Sequence, residues 1–391
     1  MLDRLPVEAV QTVIEAHGCI SSPAQLPALA LVCPSFRIAV RLHLLKHVRL
    51  SSSSTVKRYL EHVGAQAEGQ GQARSLTVEP ATRKLAVKGK GKKAKQEWVQ
   101  DDMMADEVVK LCGRLSSLEE VHLREVAFST FRRRQVDLFS SLTHLHTLTI
   151  SGRSASQSDG FNLHTVGQLL LTTPHLTHLA LRNLSCFPSA LDGLSRPHLA
   201  LSSFALFDSP GVTAKQLSWL LDSSTDAESL RTIAFDLPAC VLPSTLYPVR
   251  WAPIRTTSIS CTSDRVDALE NLPRHCPSLR RFTFRTSGQL DPYRLLASCD
   301  VFGTVTELRD ASQLGCGVPL RSLAEALLLR SGSAPAEIAR ISLRQSRAKE
   351  GGFFALRGVC RVKGVELRLV DWEDGEPFVP DLFRDLRTTA R

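Results

Sequence analysis

Apolar residues recur along most of the chain in short segments with the spacing apolar-x-x-apolar-x-apolar. The first regular copy is at 118–123 and the last at 362–367, and between them the segments return about every 27 residues. The other copies begin at Leu145, Leu176, Leu201, Leu230, Thr256, Leu279 and Ile338, with an early copy at Leu76 and Val78 and a poorer one at Val305 and Leu308. Because successive strand residues point to opposite faces, each segment predicts a short strand with one buried side.

The segments between these strands carry apolar residues at helical spacing. They are 101–112, 163–171, 213–222, 264–276 and 320–330. A strand and a helix alternating at this period are typical of leucine-rich repeats, whose units leave an apolar face that only a neighbouring unit covers. The regular Asn or Cys after each strand is mostly missing. The pattern therefore predicts an irregular α/β leucine-rich-repeat solenoid (horseshoe) over 73–391.

The first fifty residues follow a helical period instead and predict three short helices. The first begins at Pro6 and ends before Gly18, the second begins near Ser22, and the third begins near Pro34. Their apolar positions are Val10, Val13 and Ile14, then Leu26, Leu29 and Ala30, then Ile38, Leu42 and Leu45. An apolar cluster of this size is marginally stable unless it packs on another domain or on a partner.

The net charge of +9 comes mostly from one segment. Seven Lys and Arg residues lie between Arg83 and Lys95 without an acid, so the other residues sum to only +2. Glycine and like charges at this density predict a disordered basic loop at about 80–97. Three interpretations stay open: a solvated insertion without a role, a nuclear-import signal, and a contact with nucleic acid or anionic lipid. The near-neutral remainder does not favour a nucleic-acid-binding fold.

The N-terminal residues resemble the F-box. The resemblance is carried by Leu5-Pro6-Val7-Glu8, then Ile14, and then Leu26, Leu29, Val32, Cys33 and Phe36. The segment 44–50 looks like the exit of many fungal F-box proteins, and repeats of the leucine-rich type commonly follow an F-box. The resemblance covers about 45 residues of this chain.

The resemblance implies a partner. F-box proteins dock through these helices onto the Skp adaptor of a cullin-based ubiquitin ligase, and their second domain holds the substrate. The positions that match the adaptor-facing or supporting apolar surface are Leu5, Pro6, Val10, Ile14, Leu26, Leu29, Val32 and Phe36. The alternative is that these residues only pack against the first repeat as a terminal cap.

Strand residues that flank the buried leucines are expected on the concave side of the solenoid. They include Glu120, His122 and Arg124, then His178, Ala180 and Arg182, then Arg281, Thr283 and Arg285, then Arg340, Ser342 and Arg344, and finally Glu366 and Arg368. Arginines spaced two apart on neighbouring strands can bind carboxylates or phosphates bidentately. Arg281, Arg285, Arg340 and Arg344 are therefore a possible substrate face, unless they only solvate an open surface.

The sequence predicts no catalytic, cofactor or metal site. No two of the ten cysteines are closer than fourteen residues, which excludes the short ligand spacings of zinc and redox sites. The histidines between His122 and His178 lie mostly in or beside predicted strands, and no nucleophile elbow or phosphate loop is found. No apolar stretch approaches the ~20 residues needed to cross a membrane, and no signal core follows the N-terminus. We therefore expect a non-enzymatic protein of the cytoplasm or the nucleus.

These observations combine into one prediction of fold class α+β. An F-box at 1–50 is followed by a connector at 51–72 and by the repeat solenoid at 73–391. The predicted function is that of a substrate-recognition adaptor of an SCF-type cullin ubiquitin ligase, with the Skp adaptor, the cullin ligase subunits and an unknown protein target as partners. The alternative is a ligase-independent leucine-rich-repeat scaffold that binds proteins.

Overall fold

The chain forms two compact units. Unit 1 comprises Met1–Val126 and Arg132–Leu145, and unit 2 comprises Ala127–Phe131 and His146–Arg391. The computed structural model describes residues 6–16, 26–65, 73–79, 82–86, 96–100, 105–124, 139–152, 162–184, 186, 190–207, 209, 212–221, 230–235, 256–260, 280–285, 293, 304–312, 314–316, 319–330 and 338–372.

Unit 1 begins with three short helices, which we call the helical head. They are α1 (Val7–Ala16), α2 (Leu26–Ala30) and α3 (Pro34–Lys46). Pro34 occupies the first turn of α3, where a backbone N–H would have no partner within the helix. The described parts of the head agree with the three helices predicted from the apolar period.

The rest of unit 1 combines parallel strands with helices. Strand β1 (His47–Leu50) pairs in parallel with β2 (Ser75–Val78), and β2 pairs in the same way with β5 (Glu120–Arg124). Helix α4 (Ser53–Ala65) connects β1 to β2, and α5 (Ala105–Arg114) precedes β5. The buried side chains of the strands come from the predicted apolar positions and include Leu76, Val78, Val121 and Leu123.

Two boundaries of the sequence prediction need correction in unit 1. The proposed connector at 51–72 contains α4, whose residues Val56 and Val63 are buried. Strand β1, which was assigned to the F-box segment 1–50, pairs with β2 and so belongs to the strand–helix repeats. The cause is the Ser51–Ser54 tract, which looks like a turn in the sequence but leads directly into the first turn of α4.

The basic segment at 80–97 was predicted to be a disordered loop, and this is wrong at both ends. Strand β3 (Thr82–Ala86) pairs antiparallel with β4 (Gln96–Gln100). Trp98 and Val99 favour a strand, and this local preference outweighs the low hydrophobicity of the surrounding sequence. Residues 87–95, which hold most of the positive charge, lie outside the described residues.

Unit 2 contains nine parallel strands among its described residues. Each pairs with the next in chain order, so the connections cross over in one direction along the sheet. The strands are β6 (Thr147–Ser151), β7 (His178–Arg182), β8 (Ser203–Phe207), β9 (Thr232–Phe235), β10 (Thr256–Ser260), β11 (Arg281–Arg285), β12 (Glu307–Asp310), β13 (Arg340–Arg344) and β14 (Glu366–Val370). This order confirms an α/β repeat with a parallel sheet.

Helices α6 (Leu163–Thr172), α7 (Ala214–Leu221), α8 (Leu320–Leu329) and α9 (Phe353–Lys363) lie between these strands. A 3-10 helix, Gln345–Lys349, follows β13. The predicted helix at 264–276 lies outside the described residues. Helix α9 was missed, and Val362, which was assigned to the last strand segment, is an exposed residue of this helix. Gly364 ends α9 in the left-handed conformation, so the strand begins later than its apolar spacing suggests.

The strand residues that flank the buried leucines are less exposed to solvent than predicted. His122 and Arg124 of β5 and Ala180 of β7 are buried. In unit 1, the Glu79 carboxylate accepts a hydrogen bond from Nη1 of Arg124 at 3.1 Å. In unit 2, Ala180 belongs to a buried apolar cluster that also contains Ala205, Phe207, Ala234, Ala311 and Trp372.

Candidate docking and target-binding surfaces

The helical head has a sealed core of its own. Val10 and Ile14 of α1, Leu26 of α2, and Ala39 and Val40 of α3 form one buried cluster. Val7, Leu29, Ala30 and Phe36 pack against this cluster and remain partly accessible. The i, i+4 spacing of Val10 and Ile14 puts both side chains on one side of α1, which explains why they share the core.

A second set of apolar side chains lies on the outside of the head. Leu31 is 79% exposed, and Val32 and Ile38 are each 50% exposed. Val13 and Leu44 are exposed to a similar degree. Five of the twelve exposed large hydrophobic residues in the described part of the chain therefore lie in this small head.

Positive charge accompanies the exposed apolar residues of α3. Arg37 and Arg41 are exposed on the same helix as Ile38 and Leu44, and residues 26–46 contain no acid. Their neighbours Ala39, Val40 and His43 are buried. The helix thus turns one face to the core of the head and a mixed apolar and cationic face outward.

The predicted adaptor-docking residues divide into two groups. Val10, Ile14 and Leu26 are sealed inside the head, so they can support a docking surface but cannot contact a partner in this conformation. Pro6 and Val32 are exposed, and Leu29 and Phe36 are half-buried. Leu5 lies outside the described residues. Leu31 and Ile38 are exposed but were not among the predicted docking residues, because helical periodicity alone does not say which of two apolar faces is buried.

The arginines of the last four strands are arranged around two glutamates. Arg281 Nε donates to one oxygen of Glu307 at 2.7 Å, and Arg309 Nε donates to the other at 2.9 Å. Arg340 Nε donates to one oxygen of Glu366 at 2.8 Å, and Arg368 Nε donates to the other at 2.6 Å. We call these six residues the arginine face.

The strand register explains why the arginine face forms. Arg281, Glu307, Arg340 and Glu366 stand opposite one another on β11, β12, β13 and β14. Two positions further along, Arg309 and Arg368 stand opposite Thr283 and Ser342, which are both buried. Residues two apart on a strand point to the same side, so each glutamate is reached from its own strand and from the strand before it.

The guanidinium groups control the charge of both glutamates. Burial alone would raise the pKa of Glu307, but the hydrogen bond from Arg281 and the Arg309 charge outweigh it and lower the pKa. The hydrogen bonds from Arg340 and then from Arg368 lower the pKa of the half-exposed Glu366. Both carboxylates are therefore ionised at neutral pH, and each holds two cations in place.

Two of the four predicted substrate-face arginines, Arg281 and Arg340, belong to the arginine face. Arg344 is half-buried at the end of β13, and Arg285 lies at the end of β11, where its side chain is not described. Glu307 and Arg309 were missed, because β12 has the poorest copy of the apolar pattern. A signal was present: the tripeptide Glu-Leu-Arg occurs at both 307–309 and 366–368.

The described residues hold no group of three or more His, Cys, Asp or Glu side chains that could bind a metal ion. None of the described helices is both long and apolar enough to span a membrane.

Comparison with known proteins does not identify a family. No family model matches the chain, and no curated protein matches it. A solved structure of a Bacteroides fragilis protein is 10% identical, with a TM-score of 0.37, and the match covers 86% of this chain and 78% of that one. The structure of the Rad7 and Elc1 complex from yeast is 13% identical, with a TM-score of 0.40, and the match covers 96% of this chain and 90% of that one.

Proposed function

We propose that the chain is a substrate-recognition adaptor of an SCF-type cullin ubiquitin ligase. In this proposal the helical head is an F-box that docks on the Skp adaptor. The strand–helix repeats form an irregular leucine-rich-repeat horseshoe that binds a target protein. The chain itself supplies no catalytic residue.

The observation that carries this proposal is the outer surface of the helical head. A head with a sealed core does not need Leu31, Val32 and Ile38 for its own packing, yet it leaves them exposed. Each Å² of apolar surface removed from water contributes roughly 25 cal/mol, so covering these side chains with a partner stabilises the complex. Arg37 and Arg41 beside them favour a partner whose surface combines apolar and acidic residues.

The mechanism that follows is tethering. Docking of the head fixes the chain to the ligase, and the repeats hold the target near the subunits that transfer ubiquitin. Ubiquitin transfer then depends on the effective concentration of the target, which simultaneous binding at the two ends raises without any new catalytic group. A terminal cap does not require the exposed Leu31, Val32 and Ile38, because its buried cluster already packs without them.

The test is binding of the purified full chain to purified Skp adaptor. Leu31→Asp combined with Val32→Asp is expected to abolish co-elution of the two proteins in size-exclusion chromatography, because both changes replace an exposed apolar side chain of the head by a charge. Phe354→Asp combined with Val362→Asp is the matched control, since these apolar residues are exposed as well, at 77% and 84%, but lie on α9 of unit 2. The control variant is expected to bind like the original chain.

The opposite result would favour the alternative function. If the original chain does not bind the Skp adaptor, the head is a terminal cap and the protein is a ligase-independent repeat scaffold. If both double variants still bind, the outer surface of the head is not the docking site.

A further inference from the structure

The arginine face repeats one arrangement twice. Arg281, Glu307 and Arg309 form the first triad, and Arg340, Glu366 and Arg368 form the second. Corresponding residues stand in the same register two strands apart. Neighbouring strands are roughly 4.8 Å apart, so equivalent atoms of the two triads are about 10 Å apart.

Each triad has more positive than negative charge. Two guanidinium groups share one carboxylate, so the net charge of a triad is +1. The six residues of the arginine face therefore combine four arginines with two glutamates and have a net charge of +2. Stability does not require this excess, because the register Arg281, Glu307, Arg340, Glu366 already alternates in sign. Arg309 and Arg368 add like charge beside it.

The triads also fix the orientation of their arginines. All four hydrogen bonds use Nε, which leaves the Nη nitrogens of Arg309, Arg340 and Arg368 without a hydrogen bond to another described residue. A guanidinium that is held through Nε can still donate hydrogen bonds from both Nη atoms to a carboxylate or a phosphate. Because the glutamates already restrain these long side chains, a ligand loses less conformational entropy when it binds them.

We propose that the arginine face binds an acidic segment of the target protein that carries two anionic groups about 10 Å apart, one for each triad. An extended segment in the polyproline II conformation rises about 9 Å over three residues and returns to the same side, so anionic residues at positions i and i+3 match the two triads. The inference rests on the proposed function only in assigning the repeats to target binding. Phosphoserine and glutamate side chains share the required chemistry.

The experiment measures binding of fluorescent ten-residue peptides to the full chain by fluorescence anisotropy. One peptide carries phosphoserine at two positions three residues apart, a second carries glutamate there, a third carries serine, and a fourth carries the two phosphoserines side by side. The first peptide is expected to bind at least tenfold more tightly than the serine peptide and more tightly than the adjacent-phosphoserine peptide. Binding is expected to weaken with added salt, since exposed charges are screened. Binding of the glutamate peptide would extend the site to carboxylates, and its failure to bind would restrict the site to phosphate.

The variants separate this site from general positive charge. Arg309→Gln combined with Arg368→Gln is expected to weaken binding of the first peptide at least tenfold. Arg357→Gln combined with Arg361→Gln removes the same charge from exposed positions on α9 and is expected to leave binding within twofold. If the first double variant loses its folded circular dichroism spectrum, Arg368→Gln alone, at a half-exposed side chain, serves the same comparison.

Three results would overturn the inference: no preference for the first peptide over the serine peptide, equal affinity for the two phosphopeptides, or equal losses in the two double variants. Skp adaptor binding is measured on the same proteins and is expected to be unchanged in both. A chain that binds the first peptide but not the Skp adaptor retains the arginine-face site and loses the ligase role. The reverse result retains the ligase role and removes this site.

Discussion

Asp310 of β12 and Arg347 of the 3-10 helix form an ion pair in which neither side chain is exposed to solvent. Arg347 also donates from Nε and Nη2 to the two oxygens of Glu350, at 2.8 and 2.9 Å, and from Nη1 to the Tyr293 hydroxyl at 2.9 Å. Tyr293 in turn donates to Asp310. Burial and the Asp310 charge raise the pKa of Tyr293 well above its usual value, so the hydroxyl keeps its proton for this bond.

Replacing Arg347 by Met is expected to lower the free energy of unfolding by about 3–5 kcal/mol, because it leaves Asp310 charged and buried without a cation. Urea unfolding of the full chain, followed by circular dichroism, measures the change. Arg321→Met is the control: its ion pair with Glu325 at 3.1 Å has side chains that are 79% and 58% exposed. An exposed pair contributes about 0.3–0.5 kcal/mol. Equal losses in the two variants would contradict a special role for the buried pair.

Two glycines of the α9 region are expected to respond to alanine in opposite directions. A Cβ added at Gly352 would lie 2.5 Å from the backbone nitrogen of Arg321, so Gly352→Ala must push α8 and α9 apart. We expect a loss of roughly 1–3 kcal/mol. Gly358 has nothing within 4 Å of its Cβ position, and Gly358→Ala is expected to stabilise the helix by about 0.5–1 kcal/mol.

Thermal unfolding of the two alanine variants measures this difference. The midpoint should fall for Gly352→Ala and rise for Gly358→Ala relative to the original chain. A rise for both would show that α9 gains from alanine at either position and that the close approach of its start to Arg321 is not a constraint.

The strands could be predicted from the sequence because the apolar residues of each copy have the spacing of a strand with one buried face. Leu148, Leu179 and Phe204 occupy the same position in successive copies, and all three are fully buried. Helix α9 was missed because Val362 and Val365 imitate the strand spacing, and only the left-handed Gly364 separates the helix from the strand. The sequence shows a glycine there but not its backbone angle.

The candidate sites were predictable only in part, for a different reason. Periodicity locates the apolar residues of the head, but the packing of the three helices against one another determines that Val10 is buried and that Val32 is exposed. In the same way, Arg281 was recognised as a possible binding residue from its own strand. Its carboxylate partner Glu307 depends on the register of the next strand, which local spacing does not fix.

Raising the pH should destabilise unit 1 through Cys112. This thiol is fully buried, and burial raises its pKa from 9.0 to about 12. As the pH rises, the thiol therefore ionises in the unfolded chain before it ionises in the folded chain. The contribution of Cys112 to the free energy of unfolding is fully present below pH 9, and between pH 9 and 12 it falls by about 1.4 kcal/mol per pH unit. Cys112→Ala is expected to remove this contribution, so its stability should fall less steeply above pH 9.

The measurement is the free energy of urea unfolding at pH 7.5 and at pH 10.5, in the presence of a reducing agent. Some pH dependence should remain in Cys112→Ala, because burial also raises the pKa of Cys186 to about 12 and of Cys360 to about 11. Parallel profiles for the variant and the original chain would show that Cys112 does not resist ionisation in the folded state.

The division of α1 into a core face and an outer face can be tested with two valines three residues apart. Val10 is 1% exposed and Val13 is 47% exposed. Val10→Ala removes two buried methyl groups from the cluster with Ile14, Leu26 and Val40, and we expect it to cost about 2 kcal/mol. Val13→Ala is expected to change stability by less than about 0.5 kcal/mol, since a surface substitution creates no cavity. Because both changes delete the same atoms from the same helix, any difference in the free energy of urea unfolding reports burial alone. Equal costs would mean that Val13 is covered within this chain, and the outer surface of the helical head would then have fewer apolar groups to offer a partner.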